Sequence, residues 1–233
     1  MLDRKIRQVN LDATFANGII QVGGRSLLSM ITEHAAWYII KRGRQDLMTM
    51  FLNRFPLSKD YFIYAGYFYD VPMYDFLLTA AMNSEINRSY GPDHDEFAYF
   101  IDGVVQSGKE EIIMHYVKMF VAHNDLNNMG KITASMIRFN QYDIFAKMLA
   151  CPNFDYMNAA VLNAIVVVHE YNIVTYDQLL PYYLAMFKVM NHRSIYGWIN
   201  DCFKDKPHLS AMFYNSIRKY DIDVPDDATT IQI

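Results

Sequence analysis

The sequence predicts an all-α protein built as a solenoid, a stack of about six helix-turn-helix repeats with little or no β-structure. Glycine is rare, with 10 residues in 233, and the signals of β-strands are almost absent. Apolar residues recur at spacings of three and four, the period of a helix face. Breaks in this helical pattern recur at a constant distance, which is typical of stacked repeats.

The chain divides into three predicted regions. Residues 1–29 form an N-terminal cap, residues 30–220 the helical repeat domain, and residues 221–233 a flexible acidic tail. Polar stretches that interrupt the helices lie at Asn53 to Lys59, Asn83 to Glu96, Ala122 to Lys131 and Pro152 to Asp155.

Six breaks between paired helices set the register of the repeats. Four of them centre on Gly108, Asn140, Asn172 and Lys204, each 32 residues after the one before. Two earlier breaks fit at Gly43 and Tyr69 if one loop is shortened and the insert Asn83 to Glu96 lengthens the next. A helix that stops and reverses needs a left-handed residue, which suits glycine and asparagine and suits Tyr69 and Lys204 poorly.

The residues after each break repeat in kind. The third residue favours a helix first turn because carboxylates and hydroxyls meet free N–H groups and proline lacks one. These residues are Asp46, Pro72, Glu111, Asp143, Thr175 and Pro207. One turn further come mostly apolar residues, among them Leu47, Met73, Ile112 and Ile144, followed by larger apolar pairs such as Phe51-Leu52 and Met148-Leu149. A second helix is therefore expected after every break.

This pattern resembles a degenerate ankyrin repeat. The best matches are the segments from Ile39 to Leu52 and from Val104 to Ile113, and the resemblance covers about Ile31 to Arg218. The family's Thr-Pro-Leu-His opening is missing from every repeat and its paired alanines are replaced by larger residues. The richness in Tyr, Phe, Met and Asn is similar to that of divergent ankyrin proteins of large DNA viruses. A non-repetitive helical bundle or another helix-pair solenoid is the alternative.

Composition excludes several classes of function. The 21 basic and 25 acidic residues give a net charge of −4, and the scattered basic residues argue against a nucleic-acid-binding face. Charged residues near the N-terminus are unlike a signal peptide, and the longest uncharged run, Tyr156 to Val168, is shorter than the ~20 residues of a membrane helix. Two cysteines make no disulfide framework. We expect a protein of the cytoplasm, the host cell's if the chain is viral, with no membrane association.

No residue pattern argues for catalysis or for a cofactor. None of the seven histidines has the i, i+4 partner of a helical zinc site, so His115 and His208 are expected to bind no metal. The acidic cluster from Asp93 to Glu96 lacks the turn glycine of a calcium loop and is read as a helix cap. Gly23-Gly24-Arg25-Ser26 lacks the Walker lysine and is also read as a cap. Cys151 has no helix N-terminus to activate it.

Protein binding is the function that the resemblance implies, along the inner helices and the inter-repeat loops. Tyrosines crowd the break at Tyr69, and Tyr67 and Tyr69 are expected to be exposed there, where an apolar body and a polar tip suit an interface. The residues that follow the other breaks, Arg44, Lys109 and Gln141, are further partner-binding candidates. A binding regulator should be monomeric, whereas the alternative, a structural component of a virion or other large assembly, should self-associate.

Overall fold

The computed structural model describes residues 21–22, 25–83, 88–90, 95–170 and 176–189, together with Ala211, Tyr214 and Arg218. The described residues form ten α-helices, one 3-10 turn and a single pair of two-residue strands, so the all-α prediction is confirmed. The predicted breaks at Asn172 and Lys204 and the tail 221–233 lie outside the described residues, as does most of the predicted cap.

The chain forms two compact units, Met1–Gly103 and Val104–Ile233. The described part of the first unit begins with strands β1 (Gln21–Val22) and β2 (Arg25–Ser26), which pair antiparallel. Its helices are α1 (Leu27–Lys41), α2 (Gln45–Leu52), α3 (Lys59–Phe68) and α4 (Val71–Met82), and helix α5 (Glu96–Gln106) follows.

In the first unit, helix α3 is central, because it packs against both α1 and α4. The fully buried core side chains of the four helices include Ile40, Met48, Phe62, Met73 and Leu77. Ser89 donates hydrogen bonds from its backbone N and its Oγ to the Leu57 carbonyl oxygen, at 2.9 and 3.1 Å. These two bonds tie the segment before α5 to the start of α3.

The second unit contains helices α6 (Glu110–His123), α7 (Leu126–Arg138), α8 (Tyr142–Leu149), α9 (Asn158–Glu170) and α10 (Tyr176–Val189), with a 3-10 turn at Phe154–Met157. Helix α9 packs along α7, and α10 packs on α8. Tyr182 of α10 is buried and donates a hydrogen bond to the Met136 carbonyl oxygen at 3.2 Å. Burial raises the pKa of Tyr182 to about 12.

Short junctions of two or three residues join five pairs of consecutive helices. Each of these junctions contains one residue with a left-handed backbone, at Gly43, Tyr69, Gly108, Asn124 and Asn140. The predicted breaks at Gly43, Gly108 and Asn140 are thereby confirmed. The expectation that Tyr69 suits this conformation poorly is corrected, since its φ is 59°.

Hydrogen bonds across the helix end explain why a tyrosine can stand at this junction. The Tyr69 N–H donates to the Gly66 carbonyl oxygen and the Asp70 N–H to the Ala65 carbonyl oxygen, both at 2.9 Å. These are the two bonds of a Schellman helix end, which satisfy carbonyl groups that the helix leaves free. The helix end thus supports a left-handed residue that propensity alone disfavours.

The junction Asn124-Asp125 lies inside the polar stretch Ala122 to Lys131, where a break between helices was expected. The break is shorter than that stretch, because α7 already begins at Leu126. The Asp125 Oδ1 accepts a hydrogen bond from the Asn128 N–H at 3.1 Å, so the helix starts with a capping side chain. Asn124 lies midway between Gly108 and Asn140, 16 residues from each.

Candidate functional site

The junctions of neighbouring helix pairs lie against each other inside the first unit. A Cβ atom on Gly43 would lie 3.2 Å from Asp70 Oδ2. Two residues after Gly43 and Asp70, Gln45 Nε2 donates to the Pro72 carbonyl oxygen at 2.9 Å. The α1–α2 and α3–α4 junctions therefore form one surface.

Asp70 is held in this position by the helix that it begins. Its Oδ1 accepts a hydrogen bond from the Met73 N–H at 2.9 Å, so the carboxylate caps α4. The same carboxylate faces Gly43 through its other oxygen. Local helix capping thus fixes the contact between the two junctions.

Five large apolar or aromatic side chains are exposed along these two junctions and the helix ends beside them. Their relative exposures range from 37% to 51%. We call this set the junction face: Tyr38, Leu47, Tyr67, Tyr69 and Val71. Tyr67 and Tyr69 have the exposed positions expected of them.

A pocket of about 320 Å³ opens where α1 meets α2. It is lined by Tyr38, Ile39, Arg42, Arg44 and Leu47. This volume is near the lower limit of small-ligand pockets, which span roughly 300–1,000 Å³. The pocket is therefore of a size to take one side chain of a partner.

Two cations at the end of α1 lie over aromatic rings of its preceding turn, and one of them, Arg42, lines the pocket. The Arg42 guanidinium carbon is 5.3 Å from the centre of the Tyr38 ring, and Arg42 Nη2 donates to Tyr38 Oη at 3.2 Å. Lys41 Nζ lies 4.7 Å from the Trp37 ring centre. Cation–π contacts of this kind orient a long side chain on the surface.

The third cation of this region, Arg44, is paired. Its Nε and Nη2 donate to the two carboxylate oxygens of Asp46, at 2.8 and 2.6 Å. The hydrogen bonds from Arg44 lower the pKa of Asp46 to about 2. Arg44, a predicted binding residue, lines the pocket. Two of its N–H groups already donate hydrogen bonds to Asp46.

The other two predicted binding residues lie in the second unit. Gln141 faces the α5–α6 junction, because a Cβ atom on Gly108 would lie 3.7 Å from Gln141 Nε2. Lys109 is exposed and begins α6 without a capping hydrogen bond. Close by in sequence, Glu110 forms an ion pair with Lys147 at 2.7 Å. The structure thus brings Arg44 near Tyr69 in one unit, and Lys109 near Gln141 in the other.

The exposure of Leu47 could not be predicted from the sequence. It was grouped with apolar residues after each break, yet it is 38% exposed while its neighbour Met48 is fully buried. In the second unit Ile112 is half-buried and Ile113 fully buried. Tyr38 and Arg42 were not predicted as binding residues either. Their i, i+4 spacing at the end of α1 is the sequence signal that their side chains contact each other.

No match is found among protein families, curated proteins or solved structures.

In the described part of the chain, no group of three His, Cys, Asp or Glu side chains converges to form a metal site. His115 is exposed and packs edge-on against Tyr116, and His208 lies outside the described residues. Asp95 Oδ1 accepts from the Ala98 N–H, so this end of the acidic cluster caps α5. Burial raises the pKa of Cys151, which is the opposite of thiol activation. No helix among the described residues is long and apolar enough to cross a membrane.

Proposed function

We propose that this chain is a non-enzymatic protein-binding module, a degenerate ankyrin-like solenoid whose partner contacts the junction face of the first unit. The observation that carries the proposal is the exposure of Tyr38, Leu47, Tyr67, Tyr69 and Val71 along two adjoining junctions. Clustered apolar and aromatic side chains on a surface are typical of protein interfaces. We further propose a reducing compartment such as the cytoplasm, the host cell's if the protein is viral, because the chain has only two cysteines.

A repeated contact between junctions supports the solenoid. In the first unit the left-handed Gly43 faces the side chain that follows Tyr69, and in the second unit the left-handed Gly108 faces the side chain that follows Asn140. In both units, the left-handed glycine of one helix pair thus faces the residue that follows the left-handed residue of the next helix pair. Stacking of equivalent elements is the principle of repeat proteins.

Backbone rigidity makes the junction face suited to binding. Tyr69 is fixed by two backbone hydrogen bonds at a helix end, and the ring of Tyr67 packs edge-on against Phe68 with centres 5.3 Å apart. Aromatic side chains on a fixed backbone lose little conformational freedom when a partner binds. Such residues are common among those that dominate binding energy.

The test is affinity purification with mass spectrometry, comparing the natural chain with the double variant Tyr67→Ala and Tyr69→Asn. Asparagine removes the ring of Tyr69 but keeps a residue that tolerates the left-handed backbone, as the native Asn124 and Asn140 show. Tyr156→Ala is the matched control, because Tyr156 is 77% exposed in the second unit. We expect the double variant alone to lose the partner, with thermal stability nearly unchanged.

Two outcomes would contradict this proposal. Recovery of the same partners by all three chains would show that the junction face is not the interface. A loss of several kcal/mol of folding stability in the double variant would show that the two rings belong to the core.

A structural role in a virion or another large assembly is the second candidate. It is favoured by large apolar side chains exposed outside the junction face, with Met50 at 65% and Met82 at 74% in the first unit and Leu126 at 44% in the second. Several separate apolar positions suit a protein that contacts copies of itself or several neighbours.

A further inference from the structure

We infer that the partner presents an acidic segment with one apolar side chain, and that this side chain enters the pocket between α1 and α2 while its acidic neighbours meet Lys41 and Arg42. This inference rests on the proposed function and names the chemistry of the partner.

The charges around the pocket determine which sign of charge a partner should carry. The negative charge of Asp46 is compensated by Arg44, which donates two hydrogen bonds to it. Asp70 caps α4 with its Oδ1, which accepts a hydrogen bond from the Met73 N–H, while its Oδ2 faces Gly43. Lys41 and Arg42 form no ion pair with a carboxylate among the described residues; each contacts an aromatic ring instead. The pocket wall thus carries one cation, Arg42, without an ion pair among the described residues, and Lys41 directly precedes it in the chain.

The orientation of Arg42 fits it to receive a carboxylate. One Nη group donates to Tyr38 Oη and the guanidinium lies over the Tyr38 ring, so the side chain is fixed along α1. Arginine carries five N–H donors in a planar fork, and this contact with Tyr38 Oη engages one Nη. A fixed fork on the pocket wall is the arrangement that binds carboxylates with defined geometry.

The pocket itself selects an apolar side chain. Ile39 and Leu47 supply aliphatic surface, and the Tyr38 ring adds an aromatic wall. An apolar side chain that leaves water for such a site gains about 25 cal/mol for each Å² buried. The acidic residues of the partner would orient it on the surface, and the burial of its apolar side chain would supply most of the binding energy.

The test uses isotope-labelled full-length protein and three synthetic peptides. The first has a central leucine flanked on both sides by glutamates, the second replaces that leucine by alanine, and the third keeps leucine but has lysines in place of the glutamates. We expect the first peptide alone to shift the backbone amide resonances of residues 38–47, and its binding to weaken as salt rises.

Variants then separate the two parts of the inference. Arg42→Gln should weaken binding of the leucine peptide about fivefold, as for the loss of one exposed charge contact. Leu47→Ala should reduce the preference for leucine over alanine. Arg54→Gln is the matched control, since Arg54 is also exposed but follows the opposite end of α2.

Equal shifts with the lysine peptide, shifts centred elsewhere, or no binding tighter than about 1 mM would overturn the inference. A partner whose recovery depends on Tyr67 and Tyr69 but is unaffected by Arg42→Gln would refute the acidic chemistry and leave the proposed function standing. A partner recovered regardless of Tyr67 and Tyr69 would refute the proposed function itself, whatever the peptides show.

Discussion

At the scale of single residues, a left-handed residue follows the end of five of the helices. Two of these five junction residues are glycines, two are asparagines, and one is Tyr69; a sixth left-handed residue, Asn153, precedes the 3-10 turn. Glycine adopts this conformation freely and asparagine tolerates it, whereas another residue type costs roughly 1–2 kcal/mol. The junction glycines are therefore required by the backbone conformation.

Gly108→Ala tests this requirement. A Cβ atom at Gly108, where φ is 66°, would meet only Gln141 Nε2 at 3.7 Å, an ordinary contact, so any cost comes from the backbone. We expect a loss of about 1 kcal/mol or more in the free energy of unfolding, measured from the denaturant midpoint. Gly108→Asn should lose less. A stabilising alanine would show that Gly108 is helical in solution.

The Arg44–Asp46 pair gives a prediction about pH. The folded pKa of Asp46 is lowered to about 2 by its hydrogen bonds from Arg44, so the contribution of the pair to stability is present above pH 4 and disappears as the pH falls toward 2. Titration of the Asp46 carboxyl carbon by NMR should show the low value. In Arg44→Gln the pKa should return toward its usual range. An unchanged pKa in the variant would mean that Arg44 is not its cause.

At the scale of elements, one helix contact depends on the absence of a side chain. A Cβ atom on Gly103 of α5 would lie 1.9 Å from the Ile63 carbonyl oxygen and 2.7 Å from the Tyr67 backbone nitrogen. Both atoms belong to the backbone of α3 and cannot turn aside. The contact therefore also supports the backbone that carries Tyr67.

Gly103→Ala should consequently be among the most disruptive small substitutions in the first unit. We expect a loss of about 3 kcal/mol or more, the upper range for overpacking, because the two helices must separate. Gly130→Ala in α7 is the control: its Cβ would meet the Ala160 carbonyl oxygen at 3.8 Å, and the helical position should gain about 0.5–1 kcal/mol. Equal effects at both positions in thermal unfolding would contradict the close approach.

Helix starts after the breaks could be predicted from the sequence because they depend on local chemistry. Asp46, Pro72, Glu111 and Asp143 all lie in the first turn of a helix, as expected, while Thr175 and Pro207 fall outside the described residues. The break at Asn124 was expected within the polar stretch Ala122 to Lys131, but the period of 32 residues does not include it, because it lies halfway along that period. Tyr69 departed from its propensity because hydrogen bonds to the end of α3 compensate for it.

At the scale of the whole molecule, the candidate binding residues divide between the two compact units. Arg44, Tyr67 and Tyr69 belong to the first unit, and Lys109 and Gln141 to the second. The sequence could predict that residues after breaks share an environment, but the pocket also needs Tyr38 and Leu47, which lie within helices, and Arg42, which directly follows α1. Their exposure is set by which neighbouring helices cover them, and no local pattern contains that information.

The state of association distinguishes the two candidate functions. A binding module should scatter light as a monomer of 27.2 kDa across a range of concentrations. An assembly component should increase in mass with concentration, because its exposed apolar side chains would contact other copies. We expect the monomer. Growth in mass that Met82→Ser reduces would instead favour the structural role.

The short junctions also constrain how the length of this chain can change. Each residue added to an α-helix turns all that follow by about 100° around the helix axis. One residue inserted in α7 would carry Asn140 off its side of the helix, although Asn140 must start the turn into α8. Insertions and deletions should therefore be poorly tolerated between Asn124 and Asn140, and a single-residue insertion scan of expression yield should show a minimum there.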